Sequence, residues 1–92
     1  GQIAGVAAAG TDHPAIRHRA PYDLLIANIL AGPLITLAPD FAAATVPGSH
    51  LILAGLIAAQ ERAVLAAYRV QGFRLAMRSQ DGDWPCLLLV RR

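Results

Sequence analysis

Apolar residues in this chain gather into short runs set apart by glycine, proline and polar breaks. The period of each run assigns it to a strand or a helix. Residues 22–27 form a near-continuous apolar run of strand length, with Asp23 on the rim and Asn28 where the strand should end. Gly32 then permits a tight turn, and Pro33 suits the first position of a helix. That helix is predicted over residues 33–45, with Pro39 removing one internal hydrogen bond and kinking or dividing it. Pro47 and Gly48 mark a turn, and residues 50–54 read as a second buried strand. Residues 58–71 form the best helical pattern: Ile57, Val64, Leu65 and Tyr68 share one face, and Arg62 and Arg69 lie away from it. Glu61 projects on the apolar side, but in the first turn it favours the positive end of the helix dipole. Gly72 is placed as a left-handed cap. Residues 73–79 and Trp84–Arg91 are strands joined through Asp81 and Gly82, a hairpin signal. Ahead of these, residues 3–9 are weakly strand-like and residues 10–21 form a polar connector containing Pro14 and Pro21.

Strand, helix, strand, helix and an antiparallel pair predict an α/β fold of parallel βαβ units closed by a hairpin. Ligands in such open sheets bind beyond the carboxyl ends of the strands. Asn28 is therefore the first candidate for a binding group, offering an acceptor and two donors without charge. Ninety-two residues make one small domain. Residues 1–21 supply its weak strand and connector, and residues 22–92 its strand-helix-strand-helix-hairpin part.

Charge is sparse, at 15% of residues, and the net +2 comes from eight scattered arginines with no lysine. They form no basic stripe interleaved with aromatics, so direct nucleic-acid binding is not expected. A single cysteine, Cys86, rules out an intrachain disulfide and a thiolate metal cluster. Its apolar neighbours mark it as a small core residue. The longest apolar stretch, residues 24–38, is interrupted by Asn28, Gly32, Pro33 and Thr36 and is too short to span a bilayer. With neither a basic leader nor a cleavage signal at Gly1, Gln2 and Ile3, a cytoplasmic location is expected.

The consecutive residues Asn28, Ile29, Leu30, Ala31, Gly32, Pro33 and Leu34 closely resemble the signature of the PrmA-type ribosomal protein methyltransferases. The likeness continues through Leu37, Ala38, Pro39 and Asp40, Pro47 and Gly48, the five residues from Leu51 to Gly55, Gln60, and Gly72 with Phe73. The six residues from Asp12 to Arg17 also look familiar for the family. The resemblance implies the C-terminal half of a class I methyltransferase sheet, Rossmann-like and ending in an antiparallel hairpin. It implies S-adenosylmethionine as cofactor and amines of a large-subunit ribosomal protein as substrate. It also carries a cofactor-binding role onto Asn28, and no catalytic residue or metal ligand is assigned.

What is missing shapes the expectation as much. No G-x-G-x-x-G turn is present, and no acidic residue ends a second strand to hold ribose hydroxyls. Where an acidic residue could meet the adenine amine, the chain has Ala8, Ala9 and Gly10, with Asp12 nearby. The resemblance thus places the chain in the later half of the catalytic domain, starting near its third strand. In that sheet the third strand lies beyond the second and first, and the fourth lies on their other side. Residues 3–9 are then expected to lack a partner, the edge of residues 24–27 to stay unpaired, and one sheet face to lack helices. Such exposed surface predicts a fragment that is inactive alone and self-associates or swaps elements with a second copy. Two alternatives are a class I methyltransferase with another amine substrate and a non-catalytic α/β interaction module.

The remaining side chains carry less. Ile29, Leu30 and Ala31 either wall the site or pack the turn. His13, His18 and His50 show no metal-ligand spacing. Trp84 beside Pro85 reads as core or interface. Ser49 and Thr11 have no histidine-acid pair to activate them.

Overall fold

A computed structural model of the chain describes residues 3–7 and 21–92. Five strands form one sheet: β1 (Ile3–Ala7), β2 (Tyr22–Asn28), β3 (Thr45–Ala54), β4 (Phe73–Asp81) and β5 (Trp84–Arg91), in the order β1-β2-β3-β5-β4. The first three are parallel, β5 runs antiparallel to β3, and β4 pairs antiparallel with β5 on the outer edge. Helix α1 (Ala31–Ala43) connects β2 to β3, and a 3-10 turn (Ala58–Gln60) leads into helix α2 (Glu61–Val70).

The pairing of β1 corrects one expectation. Ile3–Ala7 lies parallel to β2, with Ile3 beside Leu24 and Ala7 beside Asn28, so neither this strand nor the β2 edge is unpaired. The reason is that a strand edge presents a row of unmatched N–H and C=O groups, which the nearest extended apolar segment satisfies. The last two residues of the expected strand, Ala8 and Ala9, lie outside the described residues.

Helix α1 starts earlier than expected. Gly32 is helical rather than the site of a tight turn, and Pro33 stands third in the helix, where its missing N–H would be unpaired anyway. Pro39 sits inside α1 on its exposed side without dividing it. Strand β3 also begins earlier, at Thr45. Pro47 and Gly48 make an excursion within it, where the register against β2 shifts between Tyr22 and Leu24. Buried Ser49 closes that excursion, its Oγ accepting the Val46 N–H at 3.1 Å and donating to the Tyr22 carbonyl at 2.8 Å. The predicted last helix is split into the 3-10 turn and α2, and Gly72 takes the left-handed conformation that caps it (φ 93°).

Both helices share a single core with one face of the sheet. Leu25, Ala27, Leu51, Leu53, Leu87 and Leu89 meet Leu34, Leu37 and Phe41 of α1 and Val64, Leu65 and Tyr68 of α2. Phe41, Tyr68 and Phe73 form an aromatic chain, with ring centroids 6.4 and 5.7 Å apart. Tyr68 also donates its hydroxyl to the Leu34 carbonyl at 2.7 Å, fastening α2 to α1. On the opposite face, Leu24, Ile26, Ile52, Cys86, Leu88 and Val90 are only partly covered, and no helix among the described residues lies over them. Cys86 is thus half-buried on the open face rather than in the core. The alternation along β5 puts Leu87 and Leu89 inward and Cys86 outward.

Candidate functional site

Asn28 is the last residue of β2, at the carboxyl edge of the parallel strands, where the sequence expectation placed it. Alternation along β2 buries Leu25 and Ala27 and leaves Ile26 and Asn28 exposed. The chain is then clamped to its neighbour, with the Ile29 N–H donating to the Ala54 carbonyl at 3.0 Å. Among the described residues no hydrogen bond engages the Asn28 amide, which carries two donors and an acceptor. Of the three residues that could wall this position, Ile29 and Ala31 are buried in the core. Leu30 is 70% exposed and turns the chain into α1.

Gly55, immediately after β3, packs against Asn28. It has a φ of 91°, and a Cβ there would lie 2.8 Å from Asn28 Oδ1 and 2.6 Å from the Ile29 carbonyl oxygen. Sequence reasoning placed Gly55 in the family signature but gave it no role, because neither its backbone angle nor its neighbour across the sheet is encoded locally. The hairpin tip joins the same edge, since the Ala58 N–H donates to the Asp83 carbonyl at 2.9 Å. Trp84 stands beside that tip and is 57% exposed, which removes it from the core, where buried Pro85 takes the inward position.

Below this edge, Glu61 at the start of α2 accepts two hydrogen bonds from Arg78 of β4, at 2.7 and 2.8 Å. The Arg78 guanidinium holds the Glu61 carboxyl below its ordinary range. Arg78 also meets Gln80, whose amide donates to the Gly82 carbonyl and so braces the hairpin turn. His50 is exposed in the middle of β3, and buried Ser49 serves the backbone. Among the described residues no group of three His, Cys, Asp or Glu side chains could hold a metal ion. Thr11, Asp12, His13, His18 and Ala8 to Gly10 lie outside the described residues.

A sheet of parallel strands closed by an antiparallel hairpin, with both helices on one face and an amide at the carboxyl edge, is the C-terminal part of a class I methyltransferase fold. It superposes on the crystal structure of ribosomal protein L11 methylase from Lactobacillus delbrueckii subsp. bulgaricus with a TM-score of 0.72 and 27% identity, covering 76% of this chain and 36% of that one. The fold alone is shared with the Methanococcus jannaschii fibrillarin pre-rRNA processing protein, at a TM-score of 0.71 and 9% identity over 90% of this chain and 42% of that one.

Residues 5–92 match the family described as Ribosomal protein L11 methyltransferase (PrmA), and the chain belongs to that family. A curated relative of that name from Caulobacter sp. (strain K31) is 49% identical over 86 residues, 94% of this chain and 30% of the relative. One from Chelativorans sp. (strain BNC1) is 46% identical over 85 residues, 92% of this chain and 29% of the relative. The chain thus spans under a third of the length of these relatives.

Proposed function

We propose that this chain supplies one side of the active site of an enzyme that methylates amines of ribosomal protein L11 with S-adenosylmethionine. The observation that carries this reading is the exposed amide of Asn28, which no described residue engages by a hydrogen bond, at the carboxyl edge of a chain matching the family over residues 5–92. S-adenosylmethionine, when bound, supplies an electrophilic methyl group on a sulfonium. The amine that takes it must be neutral and in line, so positioning carries much of the catalysis. The Asn28 amide can accept from or donate to such groups without trapping the amine as an ion pair. Asn28 fits one wall of such a site, and the chain contains no glycine-rich turn to form another.

The test is a chimaera in which residues 5–92 replace the matching segment of the Caulobacter relative. Methyl transfer to ribosomal protein L11 should persist in it and fall at least about tenfold with Asn28→Ala, the cost expected for a lost hydrogen bond to a charged or reacting group. An unchanged rate would remove Asn28 from the site. For the 92-residue chain alone, calorimetric titration with S-adenosylmethionine should show nothing tighter than millimolar, and micromolar binding would refute the half-site description.

A non-catalytic interaction module is the second reading, favoured by the absent glycine turn; a chimaera that binds no cofactor would support it. The working location is the cytoplasm, without direct nucleic-acid contact. Among the described residues no helix is long and apolar enough to cross a membrane. The isolated chain should self-associate through its open sheet face, where Ile26, Ile52, Leu88 and Met77 lie side by side across four strands.

A further inference from the structure

We propose that Gly55 is a positioning residue for Asn28, holding the amide against the end of β3 so that its outward face meets the ligand. The inference rests on the functional reading of Asn28 given above. Two observations on the same pair of strand ends carry it. First, the space a Gly55 side chain would need is already taken: a Cβ would stand 2.8 Å from Asn28 Oδ1, 2.8 Å from the Ile29 nitrogen and 2.6 Å from the Ile29 carbonyl oxygen. All three separations are closer than a real Cβ tolerates, and two involve backbone that cannot swing aside. Second, the φ of 91° is one that only glycine adopts without strain, so the backbone there is shaped for this approach.

The consequence is a one-sided restraint. The Ile29 N–H, bonded to the Ala54 carbonyl at 3.0 Å, fixes the backbone just after Asn28. Gly55 then offers a flat surface without a side chain, on which the carboxamide oxygen rests. No hydrogen bond to a described residue orients this amide, and contact with Gly55 and the strand-end backbone limits its rotamers. Gly32, by contrast, has nothing within 4 Å of its would-be Cβ, so an alanine there meets no such obstacle.

The experiment is a double-mutant cycle in the chimaera with the Caulobacter relative, reading S-adenosylmethionine affinity by calorimetry and melting temperature in parallel. Gly55→Ala should weaken cofactor binding about tenfold or more, whereas in the Asn28→Ala background the same change should weaken it less than about twofold further, as coupled residues require. Gly32→Ala serves as the control and should leave affinity within about twofold. Equal losses from Gly55→Ala in both backgrounds would mean a structural role only and would overturn the proposal. If Asn28→Ala by itself leaves affinity unchanged, the functional reading fails first and the positioning role falls with it. Should Gly55→Ala not fold, nuclear Overhauser contacts between the Gly55 α-protons and the Asn28 side chain decide the question in the unmutated protein. Their presence supports the restraint, and their absence refutes it.

Discussion

Leu25, Leu51, Leu53, Leu87 and Leu89 are fully or almost fully buried, while Leu24, Ile26, Ile52, Leu88 and Val90 on the same three strands are only partly covered. The two sets are equally apolar and alternate residue by residue, so hydrophobicity does not distinguish them. What distinguishes them is that α1 and α2 both lie on one side of the sheet, joined by the Tyr68 hydroxyl and the Phe41–Tyr68–Phe73 ring contacts. A continuous apolar strand is the mark of a parallel sheet covered on both faces. Among the described residues the pattern is present and one cover is not. The teaching is that strand composition reports how much burial a sheet can use, whereas the connecting elements decide which face receives it.

Adjacent residues of β3 allow the sharpest test of this contrast. Leu53→Ala should cost about 2–5 kcal/mol in urea unfolding, the range for emptying a close-packed core position. Ile52→Ala, one residue away on the open face, should cost about 1 kcal/mol or less at low protein concentration. Equal costs at all concentrations would show that the open face is covered after all. A cost at Ile52 that grows with concentration would show a second copy lying on it. In the latter case Ile26→Thr with Met77→Thr should lower the mass seen by light scattering towards that of one chain.

How much of this the sequence displayed varies along the chain. Trp84–Arg91 matched its strand to the residue, because alternation and the Gly82 turn agree there. Asn28 was legible for the same reason, a strand of ordinary length meeting a helix start. The partner of Ile3–Ala7 was not, since pairing is settled by which edges are vacant in space rather than by local pattern. The Pro47–Gly48 segment looked like a turn between elements, and only the hydrogen bonds of Ser49 keep it within a strand. Along β4, Phe73, Leu75 and Met77 alternate as one buried face would. A register shift between Leu75 and Met77 instead places Met77 beside Leu88 on the open side, where it is 66% exposed. No local signal announces that irregularity, and with it went any view of Arg78 turning towards Glu61.

Helix-to-helix fastening supplies a second, smaller test of why one face is favoured. Tyr68→Phe keeps the ring contacts and removes only the hydroxyl bond to Leu34, so the expected loss is about 1 kcal/mol. Burial pushes the Tyr68 phenol above its usual range, so the proton that makes this bond is retained in alkaline solution. Because the unfolded phenol ionises near its ordinary value of 10.0, unfolding experiments should give the same advantage of the parent chain over the variant at pH 7 and pH 8.5, and a smaller one at pH 10 and above. A difference that stayed constant through pH 10 and above would mean that the phenol ionises as readily in the folded chain as in the unfolded one.

The smallest effect is expected where the covered face meets the outer edge, at Glu61 and Arg78. The register shift in β4 pairs Arg78 with Leu87, on the side the helices cover, and its guanidinium meets Glu61 through two hydrogen bonds. That bonding lowers the folded-state pKa of Glu61 from its ordinary value of 4.5, outweighing the opposing effect of desolvation. A carboxyl depressed on folding stabilises the native state above its unfolded pKa and loses that contribution as pH falls through the folded value. Stability of the parent chain should thus decline below about pH 4.5 with a component that Glu61→Gln removes, the exposed position of the pair keeping the difference small. Raising ionic strength at pH 7 should narrow the gap between the two proteins in the same way. If Glu61→Gln leaves the acid limb unchanged, the two hydrogen bonds contribute nothing to stability, and α2 is held to the sheet by Val64, Leu65 and Tyr68 alone.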